Sequence, residues 1–198
     1  MKKTIVGITV VGKDREGIVA EFTSFVFEKG ANVEKVNQNV IKGLFGMYLE
    51  VSFTSKINFK KLDLDLQKLG KKLKMGVSTH SETNLQKNIA LFVTKEPHCL
   101  KEILSARRTL RGKISVIVGT KKTLGSLAKK AKIPFVVVDE RNQEKAEEKL
   151  LKVCKKFEVD LIVLARYMRI LTPNFVWRYP NRIINIRSEE HTSELQSR

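Results

Sequence analysis

The sequence predicts an α/β protein of two successive units, the first βαββαβ and the second built on a mainly parallel sheet. Three observations predict it. Up to His80, apolar residues switch between alternation, the period of a half-buried strand, and steps of three and four, the period of a helix. From Ile89 the strands become continuous apolar runs with helical patterns between them, as in a parallel sheet covered on both faces. Between the two, "SETNLQKN" (residues 81–88) is polar and turn-rich and reads as a linker.

In the first unit, residues 1–80, "TIVGITVV" from Thr4 is an apolar strand. The loop Gly12–Gly17 follows. Ile18, Phe22, Phe25 and Val26 then share a helix face that Gly30 ends. "NVEKVNQNVI" is a second strand with poor alternation. Phe45, Met47, Leu49, Val51 and Phe53 alternate with Gly46, Tyr48, Glu50 and Ser52, which predicts a half-buried strand with one polar face. Phe59, Leu62, Leu66, Leu69 and Leu73 mark an amphipathic helix, and Gly76–His80 a short last strand. That order is ferredoxin-like.

In the second unit, residues 89–186, the strands are "IALFVT", "ISVIVG", "FVVV" and "LIVLA", with "RIINI" as the next buried strand. One helix carries Ala146, Leu150, Val153, Cys154 and Phe157 on its apolar face. This is a Rossmann-like arrangement. Its sites lie beyond the C-terminal ends of the strands.

Composition narrows the partners. Of the 198 residues, 42% are hydrophobic and 30% charged, as in a soluble globular protein. No apolar run approaches the ~20 residues of a membrane span. "MKKTIVGITVVGKD" is interrupted by Gly7 and Thr9 and reads as a strand rather than a signal peptide. Cys99 and Cys154 form no CxxC or Cys/His cluster, so neither a disulfide framework nor a metal site is expected. They fit a reducing cytoplasm. The net charge of +17 raises a nucleic-acid partner. However, the lysines are spread through most helices and no aromatic-interleaved basic stripe appears, so no nucleic acid is expected. Such a field also attracts an anionic substrate, such as a polyglutamate or a phosphate ester.

Three stretches could carry chemistry. In "VVGKDREGIV", from Val10, the backbone N–H groups of a helix start could hold a carboxylate, or Asp14 could cap the helix. "TKEPHCLKEIL", from Thr94, follows the first strand of the second unit. Pro97 lacks a donor there and Glu96 repels anions, so the loop is unsuited to phosphate. His98 is open to a catalytic, capping or surface role. "VDLIVLARYMRILTPNFVWRYPNRIINI", from Val159, gives a buried strand, a loop with Arg166 and Tyr167, and an apolar "MRIL". A short helix capped by Thr172 with Pro173 at its first position comes next, then another strand.

Two resemblances bear on these stretches. "GKDREGIV", with its length and element order, resembles the opening of ACT domains, regulatory modules that pair and bind amino acids. This implies an amino-acid effector around Gly12, Asp14 and Gly17, and a homo-oligomer. "VLARYMRIL" and "RIINI" resemble the folate-binding region of enzymes that use 10-formyltetrahydrofolate. The resemblance implies that Met168, Arg169, Ile170 and Leu171 line a pterin pocket, largely through their backbone, and that Asn185 is catalytic. A His two positions later and a distant Asp belong to that pattern. The acceptor-phosphate loop of the transformylases, Gly-Ser-Asn, is replaced here by Pro97, His98 and Cys99. An ACT domain in front, "KEPHCL" and "VLARYMRIL" together resemble the formyltetrahydrofolate deformylases. These hydrolyse the formyl group to formate for one-carbon and purine metabolism, with folate as substrate and no cofactor. A formyltransferase with the same donor, and an amino-acid-binding regulatory protein, remain as alternatives.

Arg187 stands where the His is expected. Residues 187–198, "RSEEHTSELQSR", read like an in-frame translation of a sequencing adapter. The expectation is that this tail is artefactual, that the Rossmann-like unit is incomplete, and that the 198-residue chain is inactive.

Overall fold

The structure is a computed structural model describing residues 3–81, 86–138 and 142–186. Half of the expected linker, residues 82–85, and all of the expected tail lie outside the described residues. The chain divides into two compact units. Of the described residues, the first comprises those up to 81 together with Thr172–Pro180, the second those from 86 to 171 together with 181–186.

The first unit is built on a four-stranded antiparallel sheet. Its strands are β1 (Thr4–Lys13), β2 (Asn32–Ile41), β3 (Leu44–Phe53) and β4 (Met75–Ser81), in the order β2-β3-β1-β4. The helices are α1 (Ile18–Glu28) and α2 (Phe59–Lys72). Alternate residues of β1 and β3, among them Val6, Ile8, Val10, Leu49 and Val51, meet Phe22, Val26, Leu62 and Leu66 in one core. The amide N–H groups of Gly30 and Ala31 return to the carbonyls of Phe27 and Val26, which closes α1 as expected. Asn58 starts α2 by accepting the Lys61 N–H at 3.1 Å.

Two expectations for this unit fail. Asp14 does not cap α1; the N-cap is Gly17, at φ 81° and without a side-chain cap. Nor is the second face of β3 a solvated polar face. Tyr48 and Ser52 are buried on it, and Tyr48 stacks on His80 with ring centroids 5.9 Å apart. Tyr48 is covered by His80, and the Ser52 hydroxyl donates to the Glu34 carboxylate at 2.5 Å. At the other end of β3, the segment 172–180, which the sequence placed in the second unit, packs with the first. A Cβ on Gly46 would overlap the Trp177 ring, and one on Gly76 would meet the Arg178 guanidinium. Both glycines are therefore sites of close approach within a strand.

The second unit is a parallel sheet ordered β7-β6-β5-β8-β9. Its strands are β5 (Lys87–Val93), β6 (Gly112–Gly119), β7 (Phe135–Val137), β8 (Leu161–Ala165) and β9 (Ile183–Ile186). The helices are α3 (His98–Ser105), α4 (Gly125–Lys130) and α5 (Gln143–Lys156), while α6 (Pro173–Val176) belongs to the first unit. Leu91, Val93, Leu100, Ile117 and Ala128 form a core on one side of the sheet. Cys154 is buried on α5 with Leu150, as its helical position predicts. The strand from "RIINI", β9, pairs with β8 and, among the described residues, with no other strand; Ile183 is half-buried, while Ile184, Asn185 and Ile186 are exposed.

Candidate functional site

The first site is an open cleft at the start of α1. Residues 14–20 line it together with Gln38, Val40 and Phe45, around a volume of about 580 Å³, within the range of small-molecule sites. Gly17 takes a left-handed backbone conformation that turns the chain from the loop into the helix. As N-cap it has no side chain to offer the first helical N–H groups, so these stay available to a ligand. The Asp14 N–H donates to the Gly43 carbonyl at 2.8 Å, which ties the loop to the β2–β3 turn. The Asp14 and Glu16 carboxylates stand beside a helix N-terminus, where the dipole is positive. Arg15 lines the cleft between them, so the cleft offers both acceptors and donors to a small polar ligand. Of the three expected ligand residues, Asp14 and Gly17 line the cleft. Gly12 lies in β1, where its missing side chain makes room for Met75.

The second site lies at the C-terminal edge of the parallel sheet. Register aligns Val93 of β5, Ala165 of β8 and Ile186 of β9, and one residue earlier Phe92, Leu164 and Asn185. Beyond β8 the backbone turns at Arg166, a non-glycine residue at φ 53°. Two hydrogen bonds hold that turn. The Thr94 hydroxyl donates to the Arg166 carbonyl at 2.8 Å, and the Arg166 N–H donates to the Ile186 carbonyl at 3.2 Å. The Tyr167 ring stands edge-on to Phe92 at 5.5 Å. The expected pterin-lining residues follow directly. Met168 is 59% exposed and Ile170 88% exposed; Arg169 is exposed and Leu171 half-buried. The Ile170 carbonyl accepts the Gln143 side-chain N–H at 2.8 Å. Thr172 caps α6 with Pro173 in its first turn, as expected. Asn185 is exposed on β9, whose end is bonded to Arg166.

His98 is the exposed first residue of α3. The N-cap is Pro97 with no side-chain cap, so the capping role does not hold. Among the described residues no group of three or more His, Cys, Asp or Glu could hold a metal ion. No described helix is long and apolar enough to cross a membrane.

Sequence reasoning passed over Thr94, Gln143, Trp177 and Arg178. Nothing in the pattern marks Thr94 or Gln143, since each acts through a carbonyl distant in sequence. Gly46 and Gly76, inside strands, were the available signal for Trp177 and Arg178. Burial lowers the Arg178 guanidinium from its ordinary pKa.

Comparison with known proteins matches both units. Residues 4–80 match the ACT domain family, and residues 87–193 match the Formyl transferase family. The formyltetrahydrofolate deformylase of Bacillus subtilis (strain 168) is 37% identical over 181 residues, covering 87% of this chain and 60% of that protein. The enzyme of that name from Escherichia coli (strain K12) is 30% identical over 177 residues, covering 87% of this chain and 62% of that protein. The chain thus spans about three fifths of the length of these relatives. A crystal structure of formyltetrahydrofolate deformylase from Burkholderia mallei ATCC 23344 shares the fold. Its TM-score is 0.52 at 22% identity, over 93% of this chain and 67% of that one. The structure from Pseudomonas putida KT2440 gives 0.52 at 24% identity, over 92% and 68%. With the βαββαβ unit in front and the parallel sheet behind both matched, the chain belongs to the formyl transferase family and carries an ACT domain ahead of its formyl transferase domain.

Proposed function

We propose that this chain is part of a cytoplasmic enzyme that hydrolyses 10-formyltetrahydrofolate to tetrahydrofolate and formate, supplying formate to one-carbon and purine metabolism. The observation that carries this reading is the match, across both domains, to relatives named for that reaction. In the proposed chemistry the loop Met168–Leu171 holds the pterin. Water adds to the formyl carbon, and the Asn185 side-chain N–H groups steady the oxyanion that forms. The C–N10 bond then breaks and N10 takes a proton. Pro97 and Glu96 after β5 offer no cradle for a phosphorylated acceptor, which favours water over a ribonucleotide. Arg187 stands at the position of the expected His. The 198-residue chain is therefore expected to bind folate without turning it over.

The test is to sequence the source gene through the Ile186 codon and assay the encoded protein for formate. Release of formate in water, with no amine acceptor present, supports the reading. Formyl transfer seen only with an added acceptor overturns it in favour of a transformylase.

The cleft at α1 favours a second role in the same chain, binding of an amino-acid effector by a homo-oligomer. Glycine and methionine are suitable probes. Saturable binding of either, with no binding of tetrahydrofolate, would favour a purely regulatory protein.

A further inference from the structure

We propose that Gln143 is a positioning residue for the loop Met168–Leu171, held in orientation by the buried Glu147 beside it. The proposal rests on the folate reading above. It begins from what holds that loop. Its near end is tied at Arg166 by Thr94 and Ile186. Its far end is tied where Thr172 caps α6. Ile170 lies between these ends and, at 88% exposed, gains little from burial. Its carbonyl is held by the Gln143 side chain at 2.8 Å.

The placement of Gln143 is built rather than incidental. Asn142 accepts the Lys145 N–H at 3.0 Å and so fixes where α5 begins. Gln143 is the first helical residue. One turn on lies Glu147, only 5% exposed. The Gln143 Nε2 group is 3.4 Å from the Glu147 carboxylate. A primary amide carries two N–H donors on one nitrogen, and a carboxylate only accepts. With acceptors at both Ile170 and Glu147, the nitrogen and not the oxygen of the amide must face the loop. Glu147 also interacts with a further group, and its contact with Gln143 favours the amide orientation that grips the Ile170 peptide. A loop that recognises a pterin through its own backbone needs its peptide planes fixed before the ligand arrives, since small misplacements weaken binding.

The experiment is a tetrahydrofolate titration of the whole chain, followed by the carbonyl ¹³C signal of Ile170. Gln143→Met keeps the length and removes both donors. It is expected to weaken binding by roughly three- to tenfold, the value of one hydrogen bond. The Ile170 carbonyl signal should move upfield in the unliganded chain, with no change in thermal midpoint. Glu147→Gln retains an acceptor oxygen and is expected to bind as the parent does, whereas Glu147→Leu should behave like Gln143→Met. Glu144→Gln, exposed on the same turn, serves as the unchanged control. Parent-like affinity and an unmoved Ile170 signal in Gln143→Met would overturn the proposal. If the parent binds no tetrahydrofolate, the folate reading fails, and the Ile170 signal alone decides whether Gln143 positions the loop.

Discussion

β3 and β9 are both apolar strands in sequence, and the fold treats them in opposite ways. β3 lies inside an antiparallel sheet and is covered on both faces, including the one that carries Tyr48 and Ser52. β9 lies at the edge of a parallel sheet and leaves Ile184 and Ile186 exposed. The contrast teaches that the apolar pattern of a strand reports its own preferences and not its neighbours. What covers β3 at Gly46 is a distant segment, 172–180, admitted by that glycine.

The largest expected effect sets the two regions directly against each other. Phe22 is fully buried in the first core, so Phe22→Ala should cost about 3–5 kcal/mol. Ile184 is 51% exposed, and Ile184→Ala should cost under about 1 kcal/mol. Urea denaturation of each variant measures the gap, and equal losses would break the comparison.

The cover over β3 is tested next. Gly46→Leu should cost about 1–3 kcal/mol by overpacking. Most of that loss should disappear in a Trp177→Ala background, because the ring is what the new side chain meets. Simple additivity of the two changes would show that Trp177 is not the obstacle.

A smaller effect belongs to the Thr172 cap that follows Leu171. Thr172→Ala removes the side chain that accepts the Phe175 N–H and should cost about 1 kcal/mol. Amide exchange at Phe175 and Val176 reads it locally.

The smallest concerns charge. Glu34 lies at the β-bulge between Val33 and Lys35, which aims its carboxyl at Ser52 and Lys3. These hydrogen bonds, Ser52's first, hold its pKa at about 2 against an ordinary 4.5. Because the folded value is the lower one, the stabilisation is fully present above pH 4.5 and is lost as pH falls through about 2. Ser52→Ala should move the Glu34 midpoint up toward 4.5, as read by carboxyl ¹³C titration.

Much of this was legible in the sequence. The element order of both units, the parallel sheet, the Thr172–Pro173 helix start and the buried Cys154 all follow from local period and capping chemistry. The strand-to-helix turn that ends at Gly17 was also legible, because a glycine-bearing turn is a local signal. The features that were missed depend on long-range partners. Thr94 reaches Arg166, Gln143 reaches Ile170, and Trp177 reaches Gly46, each across a separation that no window of sequence spans.

The most direct test of the account is a titration of the isotope-labelled 198-residue chain with tetrahydrofolate, followed by backbone NMR. The account predicts saturable shifts concentrated in Arg166–Leu171 and around Asn185, with the cleft at residues 14–20 unmoved. Absence of binding, or shifts confined to that cleft, would contradict it.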